Sequence, residues 1–387
     1  VSAASARFTL AAALSAVACA GAAIGLSFPL MSLNLDDWGV DPAGIGLFTL
    51  AAAISTVVAT PFIPGLLSRV PVRAVLAGAL IAIACMFLLS NAVREVWAWA
   101  IFRFGAGMAY SLLFVSAEAW VLEHTTPARR GFVLGLFAST FAGAMALGGV
   151  LISIVGHAGP TAFYAGAAIA GIGLLALALP GPGLTAPEGE SAKPAALWDR
   201  IRAAPIVFLA PLAMGAIETA KYNLIPIYAR RVGLSDEVAG GLITASGLGV
   251  LLLQPMIGAL GDRLGPRRTL ALCAIGGAGL PLAVAAVGGA AWPALALVFA
   301  YSGIVTGLYT VGLIWMARFF SGGQLAAGNA AFALCYGIGQ LLGPAGAGLA
   351  FSVGGPAGFM AALAAMSGLY LAVLALAGAE PKRRAAP

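Results

Sequence analysis

Residues 236–289 read DEVAGGLITASGLGVLLLQPMIGALGDRLGPRRTLALCAIGGAGLPLAVAAVGG. Two apolar runs, 236–261 and 268–289, flank a short basic turn. Each is long enough to cross a bilayer, which takes about 20 residues at roughly 1.5 Å per residue. Barrel strands need only about 10 alternating residues, so these runs read as helices. Comparable runs fall at 8–33, 43–67, 72–92, 95–121, 131–155, 160–179, 205–229, 291–317, 325–350 and 355–378, which makes twelve spans. Of the 387 residues 61% are apolar and 9% charged, with mean hydropathy +1.01. A soluble domain carries about 25% charged residues. The composition therefore excludes a cytosolic enzyme, a disordered chain and a nucleic-acid binder, despite the net charge of +6. The first run, behind Arg7, is longer than a signal-peptide core and reads as the first span.

The basic residues give an orientation. With the amino terminus inside, the cytoplasmic segments hold Arg7, Arg69, Arg73, Arg129, Arg130, Lys193, Arg200, Arg202, Arg263, Arg267, Arg268, Arg318, Lys382, Arg383 and Arg384. The other side holds Arg94, Arg230 and Arg231. Fifteen against three is a strong positive-inside bias, so both termini are expected in the cytoplasm of a bacterial inner-membrane protein. Residues 180–204, rich in Pro, Gly, Glu and Ser, read as a cytoplasmic linker whose Leu197–Arg202 part suits a short amphipathic surface helix. The linker separates two six-span halves, 1–179 and 205–387.

Those halves echo each other. Arg69 and Arg73 recur as Arg263 and Arg267 at an offset of 194. Trp120 and Trp315, Phe137 and Phe332, and Gly148 and Gly343 share an offset of 195. Several matches in register point to a duplicated six-helix unit, as in two-bundle secondary transporters. The expected fold is all-α and integral to the membrane, twelve transmembrane helices in two pseudo-symmetric six-helix bundles.

Gly258-Ala-Leu260-Gly-Asp262-Arg263-Leu-Gly265-Pro-Arg267-Arg268 resembles the loop signature G-x-L-x-D-R-x-G-x-R-[KR] of the major facilitator superfamily (MFS). The counterpart after the second span, Pro64 to Arg73, lacks the Asp, which leaves the carboxy-terminal gate motif the more complete one. Arg103-Phe-Gly-Ala-Gly107 resembles the R-x-x-x-G motif, and Gly339-Gln-Leu-Leu-Gly343-Pro344 resembles G-x-x-x-G-P. Glu118-Ala-Trp120 followed by Arg130-Gly131, with Leu308-Tyr309 and Asn329-Ala-Ala-Phe332, is most similar to the YcaD-type branch of drug:proton antiporter relatives. The resemblance implies alternating access around a midplane cavity. Gating would then involve Asp262, Arg263, Arg267, Arg69, Arg73, Trp120, Gly339, Gly343 and Pro344. Physically, glycines four apart let helix backbones approach closely, for packing or for rocking. The Asp262–Arg263 loop can form charge pairs that favour one state.

Charges inside a span cost at least ~2.5–3.5 kcal/mol near the bilayer centre, so they mark candidate sites. Glu218 lies about 20 Å along the seventh span and Lys221 follows three residues later on the same face, so the two can pair. They form either a self-neutralising structural pair or a site where a proton or charged substrate group competes. Arg103 and Glu118 share the interior side of the fourth span, about 22 Å apart. Arg103 suits a carbonyl, a substrate anion or a partner helix, and Glu118 a gate contact or a proton-linked gate. Asn34, Tyr110, Tyr222, Gln254, Tyr309, Tyr336 and Gln340 could complete a cavity, although such groups also serve as interhelical hydrogen bonds. Asp36, Asp37 and Asp41 read as a solvated outer loop.

Other chemistries find little support. His124 and His157 are the only histidines and form no metal motif, and the phosphate-binding loop of ATPases is missing. The four cysteines are isolated in apolar runs, and the methionines are scattered, which argues against copper. No metal or cofactor is expected. The expected partners are a small-molecule substrate, protons and the lipid bilayer, with no nucleic acid, and the chain is expected to be a monomer. The reading is a non-enzymatic secondary transporter, a proton-coupled exporter of a small organic or amphiphilic solute. The alternatives are an importer or uniporter of a charged or zwitterionic metabolite, and a transport-inactive receptor or assembly factor.

Overall fold

The computed structural model describes residues 3–59, 62–67, 69–123, 130–178, 194–320 and 323–377. In chain order the helices are α1 (Ala3–Asp37), α2 (Pro42–Ala59), α3 (Ile63–Leu67), α4 (Val72–Ala92), α5 (Val96–Glu123), α6 (Arg130–Val155), α7 (Thr161–Ala178), α8 (Pro194–Ala203), α9 (Pro205–Arg231), α10 (Asp236–Leu264), α11 (Pro266–Val287), α12 (Ala291–Val305), α13 (Gly307–Phe319) and α14 (Gly323–Leu376). The expected spans are therefore present, with two differences in continuity. The second is described as α2 and α3, and residues 60 and 61 between them lie outside the described part. The tenth is interrupted at Thr306, where the Thr306 hydroxyl bonds back to the Ser302 carbonyl at 2.8 Å and competes with the helix ladder. The eleventh and twelfth run together as α14 but break at Gly355 (φ 61°, ψ −156°), a backbone conformation open essentially to glycine alone.

Nine segments among the described residues are long and apolar enough to cross a membrane. Helix α9, which carries Glu218, Lys221, Pro211 and Pro226, is not among them. α4 shows why such helices suit lipid. It buries Val72, Val75, Leu76, Ala79, Leu80, Ile83, Met86, Phe87 and Ser90 at helical spacing, yet its other face exposes Ile81, Leu88 and Leu89. Apolar on every side, such a helix belongs in a bilayer. α8 covers the expected amphipathic helix, whereas residues 180–193 of the linker lie outside the described part. The side chains of Arg7, Arg129, Arg130, Lys193, Lys382, Arg383 and Arg384, and all of His124, also lie outside it.

The chain forms two compact units. The first comprises Val1–Asp41, Leu47–Glu190 and Ser235–Leu248, and the second Pro42–Gly46, Ser191–Leu234 and Gly249–Pro387. Inside the first, α1 packs on α6 through glycines: a Cβ at Gly21 or Gly148 would meet the Phe141 or Ala22 carbonyl. Inside the second, α9 packs on α14 in the same way, and a Cβ at Gly339 or Gly343 would strike the Leu212 or Ala216 carbonyl. The sequence offset of 195 thus relates two backbone seams. It also relates two ring pairs, Phe114–Phe137 (5.0 Å, 71°) and Tyr309–Phe332 (5.2 Å, 76°).

Candidate functional site

The two mid-helix charges expected in the seventh span, Glu218 and Lys221, sit on α9 in unit 2. Lys221 is fully buried. Its Nζ donates to Ser302 Oγ at 2.8 Å and stands 4.2 Å from the Tyr222 ring centroid and 5.9 Å from that of Tyr301. Ser302 lies in the last turn of α12, at whose carbonyl end a cation is favoured. A hydroxyl, a helix end and two aromatic faces thus surround this ammonium, with no carboxylate in ion-pair contact among the described residues.

Glu218 faces elsewhere. The expected ion pair with Lys221 does not form, because the two side chains turn to different neighbouring helices. Glu218 is half-buried and accepts a hydrogen bond from the Tyr336 hydroxyl of α14. Tyr336 packs edge-on to Tyr309 at 5.3 Å, and Tyr309 packs on Phe332. Gln340 lies one turn beyond Tyr336 on the same face of α14. The arrangement is a carboxylate at one end of an aromatic wall, so it can exchange a proton or receive a cationic group.

Gln254 is committed to helix packing. Its Nε2 donates to the Gly303 carbonyl at 2.7 Å, beside the interruption at Thr306, and its Oε1 accepts from Thr310 Oγ1. Asn34 is likewise committed: Nδ2 donates to the Leu30 carbonyl at 2.8 Å and to the His157 carbonyl at 3.2 Å. The sequence reading missed that His157 itself is a linchpin of unit 1. Its Nε2 lies 2.8 Å from Asp37 and its Nδ1 3.2 Å from Asp236. Asp37, read as part of a solvated loop, is therefore a structural partner. No local pattern links residues so far apart in the chain.

In unit 1 Arg103 is 6% exposed. Its Nη1 donates to Ser27 Oγ at 3.2 Å and its guanidinium covers the Phe28 ring at 5.2 Å. Tyr110 lies two turns further along the same face of α5, and Glu118 is half-buried on that helix. Among the gate candidates, Arg73 Nε donates to the Leu177 carbonyl at the end of α7, and Arg267 Nη2 to the Leu374 carbonyl at the end of α14, at 2.9 Å. These repeat-related arginines satisfy the orphan carbonyls of the last span in each half. Asp262 and Arg263 belong to the final turn of α10, both are exposed, and the charge pairs expected of them do not form among the described residues. Arg69 is exposed and Trp120 is buried. Pro344 lies inside α14, one residue beyond the seam glycine Gly343.

Apolar helices in excess of any soluble core, glycine seams repeated at one offset, and charges held within spans define a multi-pass membrane protein built as a transporter. The chain belongs to the Major Facilitator Superfamily, whose family model matches residues 13–241 and 207–387. It is 22% identical over 342 residues to the uncharacterized MFS-type transporter YfkF of Bacillus subtilis, covering 86% of each chain. It is 27% identical over 259 residues to an uncharacterized MFS-type transporter of Yersinia pestis, covering 65% of this chain and 64% of that one. Among solved structures it resembles the nucleoside transporter NupG, with TM-score 0.75 at 16% identity over 96% of this chain and 97% of that one. It also resembles a bacterial homolog of the human lysosomal transporter Spinster in an inward-facing, unoccupied conformation, with TM-score 0.71 at 15% identity over 97% and 96%. These structural likenesses establish the fold alone. Its relatives are transporters rather than enzymes, and this chain is not an enzyme.

Proposed function

We propose that this transporter exports a small organic or amphiphilic solute across the bacterial inner membrane by alternating access, coupled to proton entry through Glu218. The observation that carries the reading is a half-buried mid-helix carboxylate that makes no ion-pair contact among the described residues and is held instead by the Tyr336 hydroxyl. A carboxylate locked in an ion pair resists protonation, whereas one facing neutral hydrogen-bond donors can take up and release a proton as its surroundings change. Tyr222, Tyr309 and Gln340 would shape the substrate wall beside it, and Glu118 would serve the cytoplasmic gate. The halves 1–179 and 205–387, joined by 180–204, would be the moving bodies, in a monomer with cytoplasmic termini. The direction and the YcaD-type branch rest on the motif resemblance. Proteoliposome flux with and without a pH gradient tests the coupling. Glu218→Gln should abolish gradient-driven flux by at least about tenfold while leaving substrate exchange measurable, since only the first needs the proton to cross. Undiminished gradient-driven flux in that variant would remove Glu218 from the mechanism.

A further inference from the structure

The guanidinium of Arg103 is an uncompensated cation. It is 6% exposed, forms no ion pair among the described residues, and makes one hydrogen bond, from Nη1 to Ser27 Oγ at 3.2 Å. Its Nε is buried without any acceptor. Ser27 cannot supply more, because its hydroxyl already donates to the Ile24 carbonyl at 3.0 Å, which fixes the oxygen that receives Nη1. Two turns along the same face of α5, the Tyr110 hydroxyl is also buried with no partner. Lys221 shows the contrast: the other buried cation is met by a hydroxyl at 2.8 Å at a helix end and by two aromatic faces. Around Arg103 the described residues supply a single hydroxyl and one ring, and they leave two buried donors, Arg103 Nε and the Tyr110 hydroxyl, unused.

Buried donors are normally satisfied, and a buried charge needs an opposite charge or a dense set of dipoles. The acceptor that would complete this set is an oxyanion. Arginine presents its N–H groups as a planar fork matched to carboxylate, sulfonate and phosphate oxygens, and here the Nε edge of that fork is the unused one. We propose that Arg103 and Tyr110 form a subsite for the oxyanion group of the transported solute, with Ser27 as the positioning residue that sets the fork. Phe114, one turn beyond Tyr110, packs edge-on to Phe137 at 5.0 Å and to Phe141 at 5.4 Å and offers an aromatic surface to the body of such a solute. The substrate class is thus an organic anion with an apolar or aromatic body. This rests on the transporter reading but not on the role given to Glu218.

Thermal-shift titrations of the purified full chain in nanodiscs of zwitterionic lipid test it, with benzoate, benzenesulfonate and phenyl phosphate as probes and benzamide and benzylamine as neutral and cationic counterparts. At least one of the three anions should raise the melting temperature saturably while benzamide and benzylamine do not, and the ranking of the three identifies the oxyanion. Arg103→Met should remove the shift, and Tyr110→Phe should reduce it. Arg103→Lys should weaken apparent affinity by about tenfold, since a point charge replaces a fork. Without ligand, Arg103→Met should melt no lower than the parent, because it relieves a buried charge. Glu218→Gln should keep the anion shift while losing gradient-driven flux, so the two readings fail separately. The proposal is overturned if no anion stabilises the parent beyond benzamide, if Arg103→Lys and Arg103→Met bind the anion as the parent does, or if ligand-free Arg103→Met melts well below it.

Discussion

Lys221 and Glu218 are neighbours on one helix, yet each belongs to a different local environment. The ammonium of Lys221 is held by Ser302 and the faces of Tyr222 and Tyr301, whereas the carboxylate of Glu218 meets Tyr336. The site therefore discriminates by sign at each position. Lys221→Met loses one hydrogen bond and an electrostatic contact, and should lower stability by about 1–2 kcal/mol. Lys221→Glu places a negative charge against aromatic faces at a carbonyl-rich helix end, and should cost about 3 kcal/mol or more. Melting temperatures of the two variants in detergent check the order, and equal losses would mean that the charge at 221 is not sensed. Exchanging the two charges, with Glu218→Lys and Lys221→Glu together, should not restore the parent, because the residues do not pair. Spacing alone had put them on one face and allowed a pair. Which way each side chain turns depends on α12 and α14, remote in the chain.

Helix packing is set by carbonyls as much as by side chains. Gly339 and Gly343 bring α14 so close to α9 that a Cβ would run into the carbonyls of Leu212 and Ala216, and Gly148 meets α1 in the same way. A backbone contact cannot relax by a rotamer change, so Gly343→Val and Gly148→Val should each destabilise by about 1–3 kcal/mol or more. Gly346→Ala is the control. It lies exposed on the same helix, nothing stands within 4 Å of the added Cβ, and the better helix propensity should raise stability by about 0.5–1 kcal/mol. A series of melting curves would show the two signs, and a harmless Gly343→Val would mean that the seam gives way. The small-residue spacing at 339 and 343 was legible beforehand. Its partner helix was not, since spacing marks a close-packing face without saying what fills it.

For the molecule as a whole, the distribution of basic residues predicts sidedness. Fifteen of them fall on one side of the twelve spans and three on the other, and two remain inside spans. A cysteine introduced at Gly39 should react with an impermeant maleimide in intact spheroplasts, and one at Ser191 only after permeabilisation. Labelling at Ser191 from outside would invert the topology. Arg73 and Arg267 show how such residues also serve the fold, since each reaches the final carbonyls of a late span in its half. Their shared offset of 194 marked them as equivalent, and the role they share became visible only with their acceptors in place.

The approximate number of spans and the internal repeat were properties of the sequence itself. Each depends on hydropathy and spacing within a few helical turns, which lipid reads one segment at a time. Tertiary structure alone decided that Glu218 faces Tyr336, 118 positions away, that Lys221 faces Ser302, 81 positions away, and that Arg103 is left with a hydroxyl and a ring. It also set the hydrogen-bond partners of Asn34 and Gln254, the His157 and Gly303 carbonyls, and joined His157 to Asp37 and Asp236. In hydrocarbon a polar group has no water to turn to and relies on partners within the protein or on a bound ligand. The partner it finds is fixed by which helices lie side by side, and one-dimensional periodicity carries no record of that.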